Sequence, residues 1–560
     1  MDYKHEIAAL LAKETNLSTD EVLSQLAIPP HPALGDLAFP CFKLGKNPKQ
    51  EAENFKQKIK LPAFLSKIEV VGPYLNFFLN KSVLAEETLQ TVSKQKKKYG
   101  AGKAKEKILI EYCGPNTNKP LHLGHVRNMA LGKAMCCLLS FAGNNVVPVN
   151  IVNDRGIHIC QSMLAYQKWG KNKKPDKKGD HFVGEYYVLF AQALKENPDL
   201  KDEAQDMLTR WEQGDKTVRT LWKKMNSWVL QGFAQTYKRF GIAFDEEYFE
   251  SELYEAGKDV ALEGLKKGIL IKNEKGALVA PLEKYGIPDK VVLRGDGTSV
   301  YITQDLYLAQ KRYEDYHFDR LVYVVASEQQ LHFRQLFKIL ELLGKPYAQN
   351  LYHLSYGMVH LPTGRMKSRE GTVIDADEIM DEMKALAEVE IKKRYECLTE
   401  KEIHRRAEII GLAAIKFFML RTDAHRDITF NPEESLSFEG ETGPYVQYTH
   451  ARACSILRKA GKIEGKIKYT ALQTASEQNI LTKLMNFPDI VDDAAKNYRP
   501  HVLCHYLIEL AQAFNEFYHS CPVISEDKEL MTARRQLVET VRQVLENGLN
   551  LLGIEAPEEM

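Results

Sequence analysis

The sequence predicts three units: an α+β unit at the N-terminus, an α/β unit on a parallel sheet in the middle, and an all-α C-terminal region. Three observations carry this. The stretch KIEVVGPYLNFFLN (67–80) reads as a strand pair around Gly72 and Pro73. A strand, a loop, a helix and a second strand follow one another within about 45 residues after Ile108, the pattern of a βαβ unit. From about residue 385 onward nearly every window has helical periodicity.

Taken in order, residues 1–92 form the first unit, opening with a helical pattern and continuing through GDLAFPCFKLGK. Residues 93–107, SKQKKKYGAGKAKEK, are a basic linker that reads either as solvated or as a contact for phosphate. The middle unit spans 108–384. Ile108 to Tyr112 is a short apolar run, a buried strand. His125 to Phe141 reads as a helix stopped at Gly143, and NNVVPVNIVND (144–154) as the next strand. Residues of about 160–288 are charged and mostly helical, and read as an insertion. Sheet signals return in KVVLRGDGTSVYIT, with a Gly295-Asp296-Gly297 turn between two strands, then in RLVYVVA (320–326) and LYHLSYGMV (351–359). Residues 385–560 form the helical unit.

The composition narrows the function. Hydrophobic residues make up 44% and charged residues 27%, as in a soluble globular protein. A net charge of +1 argues against a bulk polyanion binder, so any nucleic-acid contact must come from local basic patches. No window has the length of apolar sequence that a membrane span needs, and the charged start does not read as a signal peptide. Nine scattered cysteines without a CxxC predict reduced thiols in a cytoplasm and no structural zinc.

The chemistry concentrates in EYCGPNTNKPLHLGHVRN (111–128). The first strand-to-helix turn of a doubly wound sheet is where ligands bind. A helix beginning near Gly124 points free N–H groups and a positive dipole end into that crevice. His122 and His125 reach the same place, Gly124 allows close approach, and Lys119 adds a charge, which together predict a site for the phosphates of ATP. A metal pair is the rival reading of two histidines at i and i+3, but no third ligand of suitable spacing stands beside them. Structural histidines are the bland reading.

HLGH matches the first signature of the class I aminoacyl-tRNA synthetases, and the longer string around it resembles the arginyl-tRNA synthetase version. YITQD (301–305), VYVVASEQQLHFRQLFKIL (322–340), GRMKSREGTVI (364–374), SFEGETGPYVQYTHARACSILRK and ENGLNLLGIEAPEEM are similar to further segments of that family, and GDLAFP with VGPYLNFFL resembles its additional N-terminal domain. The resemblance implies a Rossmann-like catalytic domain, an N-terminal tRNA-contacting domain and a helical anticodon-binding domain. It implies ATP-dependent formation of arginyl-adenylate, then transfer to the terminal ribose hydroxyl of tRNA(Arg), with release of AMP and pyrophosphate. Mg²⁺ would accompany ATP as substrate; no zinc and no membrane are expected, and a monomer is.

By the same resemblance, His122, Gly124 and His125 hold ATP with Arg365, Met366 and Ser368 of a degenerate second signature. Glu111, Asn116, Tyr301, Asp305 and Gln329 hold arginine. An arginine side chain is a permanent cation with five planar donors, so carboxylates suit it. Read alone, Asp305 is equally a first-turn helix acid and Glu111 a strand-end charge. The second signature places Ser368 where a lysine is usual, so either Lys367 or Lys119 supplies the missing charge. GPYVQYTHAR (443–452) reads either as a stacking surface for unpaired bases or as internal packing. The competing functions are a class I synthetase for another amino acid and an inactive RNA-binding relative.

Overall fold

The computed structural model describes residues 3–362, 374–395, 397–462 and 465–560. Strands β1 (Leu37–Pro40), β2 (Leu65–Val71) and β3 (Tyr74–Leu79) form an antiparallel sheet in the order β1-β3-β2. Phe39, Leu75 and Phe77 are fully buried between this sheet and the helices Tyr3–Glu14 and Pro48–Lys58, so the first unit has its own core.

The middle unit is built on β4 (Lys107–Glu111), β5 (Asn145–Val152), β6 (Glu246–Phe249), three short strands β7 (Ile271–Lys272), β8 (Leu278–Ala280) and β9 (Lys290–Leu293), then β10 (Arg320–Ala326) and β11 (Leu351–Tyr356). Five of these make one parallel sheet in the order β11-β10-β4-β5-β6. The chain moves one way from β4 to β5 and lays β10 on the other side of β4, so the switch point lies between β4 and β10. Ile108, Leu109 and Ile110 are buried on both faces of β4, which explains its continuous apolar run. The Leu123–Phe141 helix ends where Gly143 takes a φ of +100°.

Three sequence expectations need correction. The span read as an insertion also supplies β6, a sheet strand whose four residues, EEYF, are too short and too polar to stand out. The strand expected after the Gly295–Gly297 turn shrinks to a single bridge between Leu293 and Ser299. Thr303 Oγ1 accepts from the Val300 backbone N–H at 2.9 Å and so starts a helix, Tyr301–Tyr316. The basic linker is not simply solvated: Tyr99 is buried, stacks on Phe487 at 5.9 Å between centroids and donates to the Leu484 carbonyl at 2.8 Å, although Lys96, Lys97 and Lys98 stay exposed.

From Ala376 on, the described chain is helical except for a two-residue strand, Ile428–Thr429, paired with Val359–His360. In the Gly443–Ala460 helix, Val446, Gln447 and His450 are buried, and Gln447 donates to the Glu555 carbonyl at 2.7 Å. Internal packing therefore accounts for that face of GPYVQYTHAR. Gly443 fits because a Cβ there would lie 2.6 Å from the Ala413 carbonyl oxygen of the neighbouring helix.

Candidate active site

A cleft of about 1320 Å³ opens at the switch point, at the carboxyl ends of β4 and β10. Glu111, Asn116, His122, Gly124, His125, Tyr301, Asp305 and Gln329 all line it. Lys119 stands just outside, half-buried, close enough to both histidines to disfavour their protonation. Arg365, Met366, Lys367 and Ser368 lie outside the described residues.

The turn leaving β4 is strained. Cys113 has a φ of +81°, a conformation that costs a non-glycine residue energy, and Gly114 follows at +62°. Two asparagines hold it. Asn128 accepts from the Cys113 N–H at 2.5 Å while donating to the Val324 carbonyl at 2.7 Å, which ties β4 to β10. Asn150 accepts from the Gly114 N–H at 3.0 Å. Arg127, fully buried one residue before Asn128, donates to the carbonyls of Gly357 and Ala424 at 2.6 and 3.2 Å.

The histidines begin the helix as its cap. His122 Nδ1 accepts from the Gly124 N–H at 3.2 Å, and His125 Nδ1 accepts from the His122 N–H at 3.1 Å. A backbone N–H can only donate, so in each neutral ring the proton sits on Nε2. Both Nε2–H groups are then donors to the cleft. Their ring centroids are 4.0 Å apart. Burial and then Lys119 hold His122 down to about 4, and burial holds His125 well below its usual value, so both are neutral at pH 7. Burial also pushes the Lys119 ammonium below the usual lysine range.

The other end of the cleft is acidic. Tyr301 and Asp305 sit one turn apart on the Tyr301–Tyr316 helix, and Tyr301 is 72% exposed, free to meet a ligand. Asp305 Oδ2 is 2.7 Å from His332 Nε2. Glu111, at the end of β4, is bonded to the fully buried Arg312, whose guanidinium carbon lies 4.9 Å from the Tyr248 ring centroid. Glu111 keeps Arg312 charged against its burial. Sequence reasoning missed Arg312, and it also missed Glu250. This buried carboxyl hydrogen-bonds to Gln304 and feels the charges of Asp154 and Asp305; burial raises it to about 7. Asn116 and Gln329 are exposed on the segments that follow β4 and β10, and both line the cleft.

Residues 88–431 match the model of the catalytic domain of tRNA synthetases class I (R), 446–560 that of the DALR anticodon binding domain, and 1–79 that of the arginyl tRNA synthetase N terminal domain. The chain belongs to the arginyl class I tRNA synthetase family. It is 44% identical to an arginine–tRNA ligase of Treponema denticola, with 97% of this chain and 96% of that one aligned, and 41% identical to one of Treponema pallidum over 100% and 99%. Its fold matches an arginyl-tRNA synthetase of Thermus thermophilus with a TM-score of 0.82 at 29% identity, over 96% of each chain. A methionyl-tRNA synthetase of Mycobacterium tuberculosis shares the fold, at a TM-score of 0.52 and 11% identity over 81% of this chain and 92% of that one. Among the described residues no helix is long and apolar enough to cross a membrane.

Proposed function

We propose that this cleft performs the activity of its family, ATP-dependent ligation of arginine to tRNA(Arg), with the roles divided between its two ends. One observation carries the assignment: a single cleft joins two Nε2–H donors at a helix N-terminus to the carboxyl groups of Glu111, which is buried, and Asp305, which is half-buried. The first end suits phosphate oxygens. The second suits a guanidinium, with Asp305 as the direct partner, Tyr301 against its face, and Glu111 and Glu250 behind. Asn116 and Gln329, between the two ends, hold the amino and carboxylate groups of the substrate. Lys96, Lys97 and Lys98 offer exposed charge to the tRNA backbone, beside the helical unit from about 385 on that reads the tRNA.

The arginine carboxylate attacks the α-phosphorus of MgATP and pyrophosphate leaves; the tRNA ribose hydroxyl then attacks the adenylate carbonyl and AMP leaves. Neither step requires a protein nucleophile. His122 and His125 donate hydrogen bonds to phosphate oxygens as charge develops, and Lys119 supplies the cation that neutral imidazoles cannot. Charging of total tRNA with each of the twenty amino acids tests the reading. Arginine alone should be incorporated; equal incorporation of any other amino acid would refute it.

A further inference from the structure

A second cluster of charged side chains lies off the sheet, between the insertion and the start of the Ala376–Arg394 helix. Lys178 Nζ bonds Asp377 Oδ2 at 2.5 Å, Thr236 Oγ1 at 2.5 Å and Asp180 Oδ2 at 2.9 Å. His181 Nε2 is 3.0 Å from Asp377 Oδ2 and 3.5 Å from Asp375 Oδ2. Asp375 caps the Ala376–Arg394 helix by accepting from the Asp377 N–H at 2.7 Å. Asp180 is fully buried, and it fits because residue 232 is glycine: a Cβ there would sit 2.2 Å from Asp180 Oδ1. Asp180, His181 and Asp377 bring ligand atoms within 4.8 Å of one another, but Lys178 already supplies the cation between the two carboxylates.

The cluster is wired to the first signature by backbone. Asp375 faces His122 in an antiparallel bridge: the Leu123 N–H donates to the Ile374 carbonyl at 3.0 Å, and the Ala376 N–H to the Leu121 carbonyl at 2.9 Å. The Gly179–Glu196 helix that carries Asp180 and His181 touches the same segment from the other side, since a Cβ at Gly184 would lie 2.8 Å from Pro120 Cδ and 3.6 Å from Lys119 Cα. One insertion helix thus contacts the HLGH segment through Pro120 and through Asp375.

We propose that Lys178, His181 and Asp377 are positioning residues for adenylate formation, bracing the backbone that aims His122, His125 and Lys119 at the phosphates. The brace acts on the catalytic groups through Asp375 and Pro120 and touches no substrate. A misplacement of about 1 Å from a change remote from the chemistry costs on the order of 10²-fold in rate, so a polar network here has leverage. Its charge state is also pH-dependent. Asp377 raises His181, with Asp375 and Asp180 helping and Lys178 opposing; Lys177, Arg239 and Asp381 line the same hollow. A raised imidazole keeps its bridge at low pH and loses it as pH rises through its folded value.

The test is arginine-dependent ATP–pyrophosphate exchange by the full chain with tRNA(Arg) present, in wild type, Asp377→Asn and His181→Gln, with thermal melts of each. Asp377→Asn should lower kcat roughly 10- to 100-fold with the KM for arginine unchanged. His181→Gln should start lower than wild type at pH 6 and lack the part of the alkaline decline that belongs to His181, while any decline from Lys119 remains in both. An unchanged kcat in folded Asp377→Asn overturns the proposal. So does a His181→Gln profile parallel to wild type, which would make the cluster ordinary packing. Arginine-dependent exchange by wild type is the control that separates failure of this inference from failure of the reading of the cleft on which it rests.

Discussion

At one end of the cleft two histidines are held neutral, by burial and then by the Lys119 charge beside them, with their Nδ1 atoms accepting from backbone N–H groups. At the other, Glu111 and Asp305 line the cleft; Glu111 is bonded to the buried Arg312, and the buried Glu250 feels the charges of Asp305 and Arg155. The ligand for each end explains the contrast. A triphosphate arrives with its own metal ion and leaves in part as pyrophosphate, so neutral, fixed donors assist without binding the product too tightly. An arginine side chain carries its charge throughout the reaction, and only fixed carboxylates distinguish it from neutral competitors.

Removing a donor from the neutral end should have the largest effect. His125→Ala removes an Nε2–H and also strips the His122 N–H of its acceptor, so arginine-dependent pyrophosphate exchange should fall by about 10²–10³ while arginine binding is retained. A parallel loss of arginine binding would show that the two ends are not independent. Lys119 sharpens the same point. It is half-buried beside both rings before any ligand arrives. Lys119→Met should therefore cost exchange more than Lys367→Met, by about 10-fold or more. If Lys367→Met is the more damaged enzyme, the cation at this end comes from the second signature.

At the charged end the expected loss is smaller and falls on the amino acid. Asp305→Asn keeps the shape but leaves the substrate guanidinium with a neutral partner, a loss of about 1.5–3 kcal/mol for a charged hydrogen bond. The KM for arginine should rise accordingly, with the KM for ATP unchanged. Calorimetric titration with arginine checks it, and equal affinity in the variant would remove Asp305 from the pocket.

The two ends also differed in how far the sequence revealed them. The histidine end is local: strand, turn and helix lie within residues 107–141, so apolar run, glycine and helical period mark it directly. Even so, the tautomers follow from Nδ1 contacts that no spacing shows. The acidic end is assembled from β4, β6 and the Tyr301–Tyr316 helix. Arg312 reads in sequence as one more helical surface charge, and Glu250 as part of an acidic run after a strand too short to notice. Their burial follows from the sheet order, which brings β6 and β10 to either side of the β4–β5 pair. Asp375 and Asp377 stayed silent for the same reason: their partners, Lys178 and His181, are about two hundred residues away in the span that reads as a charged, mostly helical insertion.

The smallest expected effect separates the ends by their protons. Burial holds the Glu250 carboxyl at about 7, with Arg155 and Gln304 favouring ionisation and Asp154 and Asp305 opposing it. A bound guanidinium near Asp305 favours the ionised form, so arginine binding at neutral pH should expel a proton from Glu250. The sign follows: a group that must lose a proton to bind best gives weaker binding at low pH, and affinity climbs as pH rises through its free value. For one proton the gain between pH 6 and pH 8 is at most about tenfold. Glu250→Gln, which retains a partner for Gln304, should flatten that rise and abolish proton release, measured by titrating arginine in buffers of different ionisation enthalpy. ATP binding should show no such dependence in this range, because His122 and His125 lose their protons at lower pH. A slope retained in Glu250→Gln would assign the proton to another group at the acidic end. A slope of the same sign for ATP would break the contrast between the two ends.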